Sequence, residues 1–150
     1  GFYADLANKA NAVEEVTTVA LIDIGEFAWN LDGAIFDMAG LTDRRIALAQ
    51  GSRHSKDFDP AYFEERAPDL VFIRTNRPLE SPPANDLAFR QPENDYLVYM
   101  LSSNSWNAHA SYRYATDKHV WVLFRDGVDL DPEVWGPAVG SGVLPERPSS

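Results

Sequence analysis

Cysteine is absent from this 150-residue chain, which removes disulfides, thiolate nucleophiles and cysteine-based zinc sites together. That absence leaves the compartment open. Long apolar runs are missing too: none approaches the roughly 18 residues that cross a bilayer, and no charged, apolar and small-residue leader opens the sequence. The chain begins Gly1-Phe2-Tyr3-Ala4-Asp5, without an initiating Met and directly in a helical pattern, and ends in the polar run Leu144 to Ser150. It reads as a piece cut from a longer protein.

Basic residues are few. Thirteen Lys and Arg face 23 Asp and Glu, for a formal charge of −10, and apart from Arg44-Arg45 the cations are scattered. A nucleic-acid partner, which needs clustered Lys and Arg to displace counterions, is therefore not expected. Glycine is sparse where a phosphate cradle would need it: after the first apolar run only Gly25 occurs, followed by bulky Phe27 and Trp29. Neither a dinucleotide fingerprint nor a P-loop is present, and no cofactor is expected. Gly140-Ser141-Gly142 lacks the first glycine of a nucleophile elbow and has no strand before it.

Metal-ligand patterns are also lacking. His54, His109 and His119 are widely spaced and match no zinc signature. The acids of Asp126 to Glu133 depart from a calcium loop, with Gly127 in second position and irregular spacing, and read as turn formers at a hairpin exit. No metal is expected.

What the chain does contain is enough apolar material, 45% hydrophobic and 12% aromatic, for one packed domain. Leu6, Ala10, Val13 and Val16 recur at helical spacing in a first helix over residues 4–15. Val19 to Ile24 is a continuous apolar run of the kind found in strands buried on both faces. Glu26 to Gly33 holds the turn signal Asp32-Gly33 and leads to a second run, Ala34 to Met38, expected to pair antiparallel with the first.

Thr42 and Asp43 suit the start of a short helix closed by Gly51. Asp59-Pro60 caps another over residues 61–66, before a third strand from Leu70 to Ile73. Residues 76–92 carry four prolines and read as an irregular connector; Glu93 to Leu101 is helical, with Tyr96, Leu97, Met100 and Leu101 inward. SYRYAT and VWVLFR flank Asp117-Lys118-His119 as a hairpin. The expected fold is α/β or α+β: a single domain over residues 1–136, with a mixed, mostly buried sheet of about five strands, covering helices and a C-terminal β-hairpin. Residues 137–150 form a polar irregular tail.

Candidate site residues gather in the first half. His54, Lys56 and Asp57, with Asp59 beside them, form the densest polar cluster, and histidine can serve as acid, base or ligand. Asp23 and Asp37 each interrupt an apolar strand near its end, where a carboxylate needs a partner and can fix a turn or face a ligand. Trp29 and Trp106 fall in expected loops, where an indole face can stack on a sugar or a protein, whereas Trp121 alternates into the core.

Three segments carry a family likeness: Asp23-Ile24-Gly25 ending the first strand; Ile35 to Asp43 with Ile46-Ala47 after it; and His54-Ser55-Lys56 followed by Pro68-Asp69-Leu70-Val71. This first half of the chain resembles the soluble C-terminal region of bacterial polytopic membrane glycosyltransferases of the GT-C type, which take sugars from polyprenyl-phosphate donors. Arg53 stands where the related pattern often has Gly, and Gly25 to Trp29 replaces the more usual filling before the second strand.

The resemblance implies a non-catalytic, extracytoplasmic accessory domain, because the family's catalytic acid is generally held by the membrane portion. Its partners would be its own membrane-embedded portion and a glycan or polyprenyl-phosphate sugar. Asp23, Trp29, Asp37, Asp43, His54, Lys56 and Asp57 would lie on its ligand-binding face. Two alternatives remain open: a free-standing small α/β hydrolase using His54 and an Asp, and a purely structural docking module.

Overall fold

The computed structural model describes residues 1–22, 25–38, 58–78 and 93–137. Five strands form one mixed sheet in the order β2-β1-β3-β5-β4. Its parallel half comprises β1 (Thr18–Leu21), β2 (Ala34–Asp37) and β3 (Leu70–Thr75). The antiparallel hairpin of β4 (Trp106–Ala115) and β5 (Lys118–Arg125) extends it through a β3–β5 pairing. Asp117, at φ 53, makes the left-handed turn between the hairpin strands, a conformation Asp tolerates better than most residues. The expected single mixed α/β sheet with covering helices is what the chain forms.

Helices cover both faces. On one, α1 (Phe2–Asn11) and α2 (Gly25–Asn30) bury Leu6, Ala7, Ala10 and Phe27 against Val19, Leu21, Leu70 and Phe72. The short α5 (Pro132–Trp135) adds Trp135 to the same cluster. On the other face, α3 (Pro60–Arg66) and α4 (Glu93–Leu101) bury Phe63, Tyr96, Leu97, Met100 and Leu101 against Ala20, Phe36, Val71, Ile73 and Trp121. Strand residues alternate between these two clusters, as the two-residue strand period requires. That is why the central runs are apolar throughout. Among the described residues no helix is long and apolar enough to cross a membrane.

The pairing of β1 with β2 differs from expectation. The two run parallel, in register from Thr18 opposite Ala34 to Leu21 opposite Asp37. Parallel neighbours need a crossover, and GEFAWN supplies it as α2, where the sequence suggested only a turn. Phe27, fully buried against Phe72, gives this short helix its anchor. Asn11 fastens the far end: its Nδ2 donates to Asn30 O at 2.7 Å, and its Oδ1 accepts from Asp32 N at 2.8 Å. Gly33 then lets β2 start close to β1, since a Cβ there would stand 2.8 Å from Thr17 O.

The expected cap of α3 is present, with Asp59 Oδ1 accepting from Tyr62 N at 3.2 Å and Pro60 in the first turn. The short helix expected after Thr42, most of the residue 52–58 loop, most of the residue 76–92 connector and all of the tail beyond Pro137 lie outside the described residues.

Candidate functional site at the carboxyl ends of the parallel strands

From β1 the chain crosses by α2, on one face, to β2 at the sheet edge. From β2 it returns by α3, on the opposite face, past β1 to β3. The winding therefore reverses between β1 and β3, and the crevice outside the carboxyl ends of such neighbours is where doubly wound sheets receive ligands.

That rim is built from the last residues of each strand. Leu21 and Asp37 finish side by side, and Met38 N continues the ladder to Leu21 O at 3.1 Å. Pairing of β3 with β1 stops at Ala20 opposite Val71, whereas its pairing with β5 runs on to Thr75 opposite His119. The end of β3 thus extends past its β1 ladder. Arg74 N–H, at this end, donates to Glu93 Oε2 at 2.8 Å. The Arg74 guanidinium grips the same carboxylate, with Nε and Nη2 donating to Oε1 at 3.0 and 2.7 Å.

Glu93 is fully buried and Arg74 retains 19% side-chain exposure. Burial works to lower the Arg74 pKa, but the Glu93 hydrogen bond and charge outweigh it and hold the guanidinium more firmly protonated than usual. Beyond them, Arg77 O accepts from Thr75 Oγ1 at 2.7 Å and Trp121 Nε1 at 2.9 Å, which fixes the turn leaving β3. The Arg77 residue itself is exposed. Arg74 and Glu93 escaped the sequence reading. The available signals were a lone cation ending an apolar strand and a carboxylate at the first position of a helix, and neither identifies its partner 19 residues away.

Of the candidates from sequence, Asp37 and Trp29 are described. Asp37 is 1% exposed and closes β2 at the rim. Trp29, 91% exposed, projects from the outer side of α2. Asp23, Asp43, His54, Lys56 and Asp57 lie outside the described residues, in stretches that join the chain directly after β1 and β2. Trp106, expected in a loop, instead begins β4 and is buried between Phe63, 5.5 Å away ring to ring, and Arg125, 4.5 Å from its ring. The apolar wall made by α3 and α4 had room for it there. Trp121 is buried as expected. His109 is also buried, its Nε2 3.0 Å from Gly136 O. Among the described residues no cluster of three His, Asp or Glu could hold a metal ion.

The opposite end of the sheet is locked by Asp69, which follows Pro68 in one of the resemblance segments. Its Oδ2 accepts from Thr17 N, Thr17 Oγ1 and Thr18 N at 2.9, 3.0 and 3.1 Å. This residue pins β1 to β3 at their amino ends, far from the rim.

Residues 4–127 match the family described as Domain of unknown function DUF8728. The chain belongs to this family. The matched span takes in all five strands and stops before α5. No curated protein and no solved structure matches the chain.

Proposed function

We propose that this DUF8728 chain is a non-catalytic accessory domain of a bacterial membrane glycosyltransferase. It would face the extracytoplasmic side and help to position a glycan acceptor or a polyprenyl-phosphate sugar. The observation that carries the reading is the parallel, in-register ending of β1 and β2. Leu21 and Asp37 finish together, so the chain leaves β1, before Asp23, and β2, before the Asp43, His54, Lys56 and Asp57 set, at the same end of the sheet. Motif residues scattered along 35 positions would have no reason to act together if the strands ran antiparallel, as first expected, because the two stretches would then leave opposite ends.

The residues encoded before Gly1 test the class. A series of apolar spans, each of about 20 residues, is the expected finding. A cleavable signal peptide alone would overturn it. A second reading, in which the domain docks on its own membrane-embedded portion without touching ligand, draws support from Trp29. An indole with 91% exposure is unusual for a residue this apolar, and interfaces are where such side chains gain burial.

A further inference from the structure

Seven Lys and Arg fall among the described residues, and four of them have a partner. Arg74 pairs with Glu93, Arg125 with Glu64, Arg66 donates to Ile35 O, and Lys9 stands over the Tyr112 ring at 4.6 Å. The other three, Arg77, Arg113 and Lys118, are exposed and have no carboxylate partner among the described residues. An anion can meet them without breaking an ion pair.

These three share one corner of the sheet. Thr75 at the end of β3 pairs with His119 near the start of β5, His119 pairs in turn with Arg113 on β4, and Lys118 pairs with Ala115 across the hairpin turn. Arg77 leaves β3 just after Thr75, and its carbonyl is fixed by Thr75 Oγ1 and Trp121 Nε1. Arg113 Nε reaches Ala115 O at 3.4 Å, which keeps that guanidinium at the turn. Residues 75–77 and 113–119 hold one acid, Asp117, exposed in the turn itself.

The cations do not converge on one point. Val120 packs in the cluster under α1 and Trp121 in the cluster under α4, so alternation puts Lys118 on the α1 face and His119, with its partner Arg113, on the α4 face. One small anion is poorly matched to cations on two faces. A plane of anionic groups touching the end of the hairpin meets both.

The exposed acids Glu14, Glu15, Asp32 and Asp126 lie at the other end, where β1 and β2 start and β5 finishes. The eight residues of β5 set the two ends apart by about 25 Å, more than two Debye lengths of roughly 10 Å at 0.1 M salt. Asp5 on α1 and Asp95 on α4 are nearer, which confines the positive surface to the hairpin end. Within that limit the formal charge of −10 leaves the corner locally positive.

We propose that the corner of Arg77, Arg113 and Lys118 is a contact surface for an anionic lipid bilayer. It lies at the same end of the sheet as the carboxyl rim, so the contact turns that rim toward the lipid headgroups. The choice of a bilayer rests on the reading of the chain as part of a membrane protein, and an acidic protein is the competing occupant.

Co-sedimentation of the whole chain with vesicles of phosphatidylcholine, alone or with about one third phosphatidylglycerol, tests the contact. At low salt the wild type is expected to partition about tenfold or more in favour of the anionic vesicles, a preference that falls as salt rises. Each of Arg77→Gln, Arg113→Gln and Lys118→Gln lowers the preference about three- to fivefold, the order for one basic residue at an anionic surface, and together they remove it. Asp117→Asn, which tolerates the same left-handed turn, raises it. Replacing Glu14 and Glu15 by Gln changes it less than about twofold, because screening isolates that end.

Equal partitioning on both vesicle types, or an anionic preference that survives the triple replacement, overturns the contact. So does a gain on neutralising Glu14 and Glu15 as large as that from Asp117→Asn, which would make the effect one of net charge. Binding to polyglutamate in place of anionic vesicles, lost in the triple replacement, overturns the bilayer and assigns the corner to an acidic protein. Corner-dependent vesicle binding without apolar spans encoded before Gly1 leaves the lipid contact standing and removes the accessory-domain reading. Apolar spans without vesicle binding remove the lipid contact alone.

Discussion

Asp69 holds Thr17 through both its backbone and its hydroxyl, at 2.9 and 3.0 Å, and Asp69 N returns a bond to Thr18 O at 2.9 Å. One carboxylate oxygen so anchors the start of β1 against the start of β3. The Pro-Asp segment is therefore a register pin at the amino ends of the strands. Replacing Asp69 by Ala should lower unfolding free energy by about 1–2 kcal/mol, because it removes three hydrogen bonds to a charged acceptor whose donors water can only partly re-satisfy. Urea denaturation measures the loss. Ligand responses at the opposite rim should survive in the folded fraction.

Ala67 ends α3 in the left-handed conformation, at φ 48 and ψ 55, while its N–H closes the helix on Phe63 O and Glu64 O. Glycine adopts this conformation without the Cβ clash that alanine suffers. Ala67→Gly is expected to raise stability by about 0.5–1 kcal/mol, after its added unfolded-state entropy is offset. Thermal unfolding should show a higher midpoint, and a lower one would count against this cap geometry.

Tyr112 ties the hairpin to α5 by donating its hydroxyl proton to Trp135 O, and burial pushes its pKa upward. A raised folded-state value means the neutral phenol is favoured by folding. Its contribution is complete below the unfolded phenol pKa near 10 and is lost as pH climbs through the higher folded value. Wild-type stability should accordingly fall more steeply above about pH 10 than that of Tyr112→Phe. Equal alkaline slopes in paired urea titrations would contradict the burial effect.

Trp29 offers a direct test of exposure, since Trp106, Trp121 and Trp135 are all buried. Trp29→Ala should change stability by no more than about 0.5 kcal/mol, as expected for a surface residue without partners to lose. It should also abolish most of the iodide-quenchable fluorescence. Under the proposed docking reading, Trp29→Ala should also reduce association with a membrane-embedded partner at unchanged stability, and unchanged association would remove α2 from the docking surface.

Local signals carried much of the fold. Asp59-Pro60 named the start of α3, the inward set of α4 followed from its spacing, and the hairpin came from alternation around Asp117. Strand direction did not, because a six-residue crossover helix anchored by one buried Phe looks, as sequence, like a turn. The same limit applied to Trp106, whose burial depends on α3 and β5 arriving from elsewhere in the chain. At the rim, Asp37 was legible as a charge interrupting an apolar run. The Arg74 and Glu93 pair was not, since long-range pairing of single charges leaves no periodic trace.

The central claim is that binding occurs at the carboxyl ends of β1, β2 and β3. An amide-resolved NMR titration of the chain with an oligosaccharide and with a short polyprenyl-phosphate sugar analogue tests it most directly. The account predicts saturable shifts clustered at Ile22, Asp37, Met38 and Arg74 to Arg77, with Thr17 and Asp69 unmoved. Shifts confined to the amino ends of the strands or to the β4 edge, with the carboxyl rim silent, would contradict it.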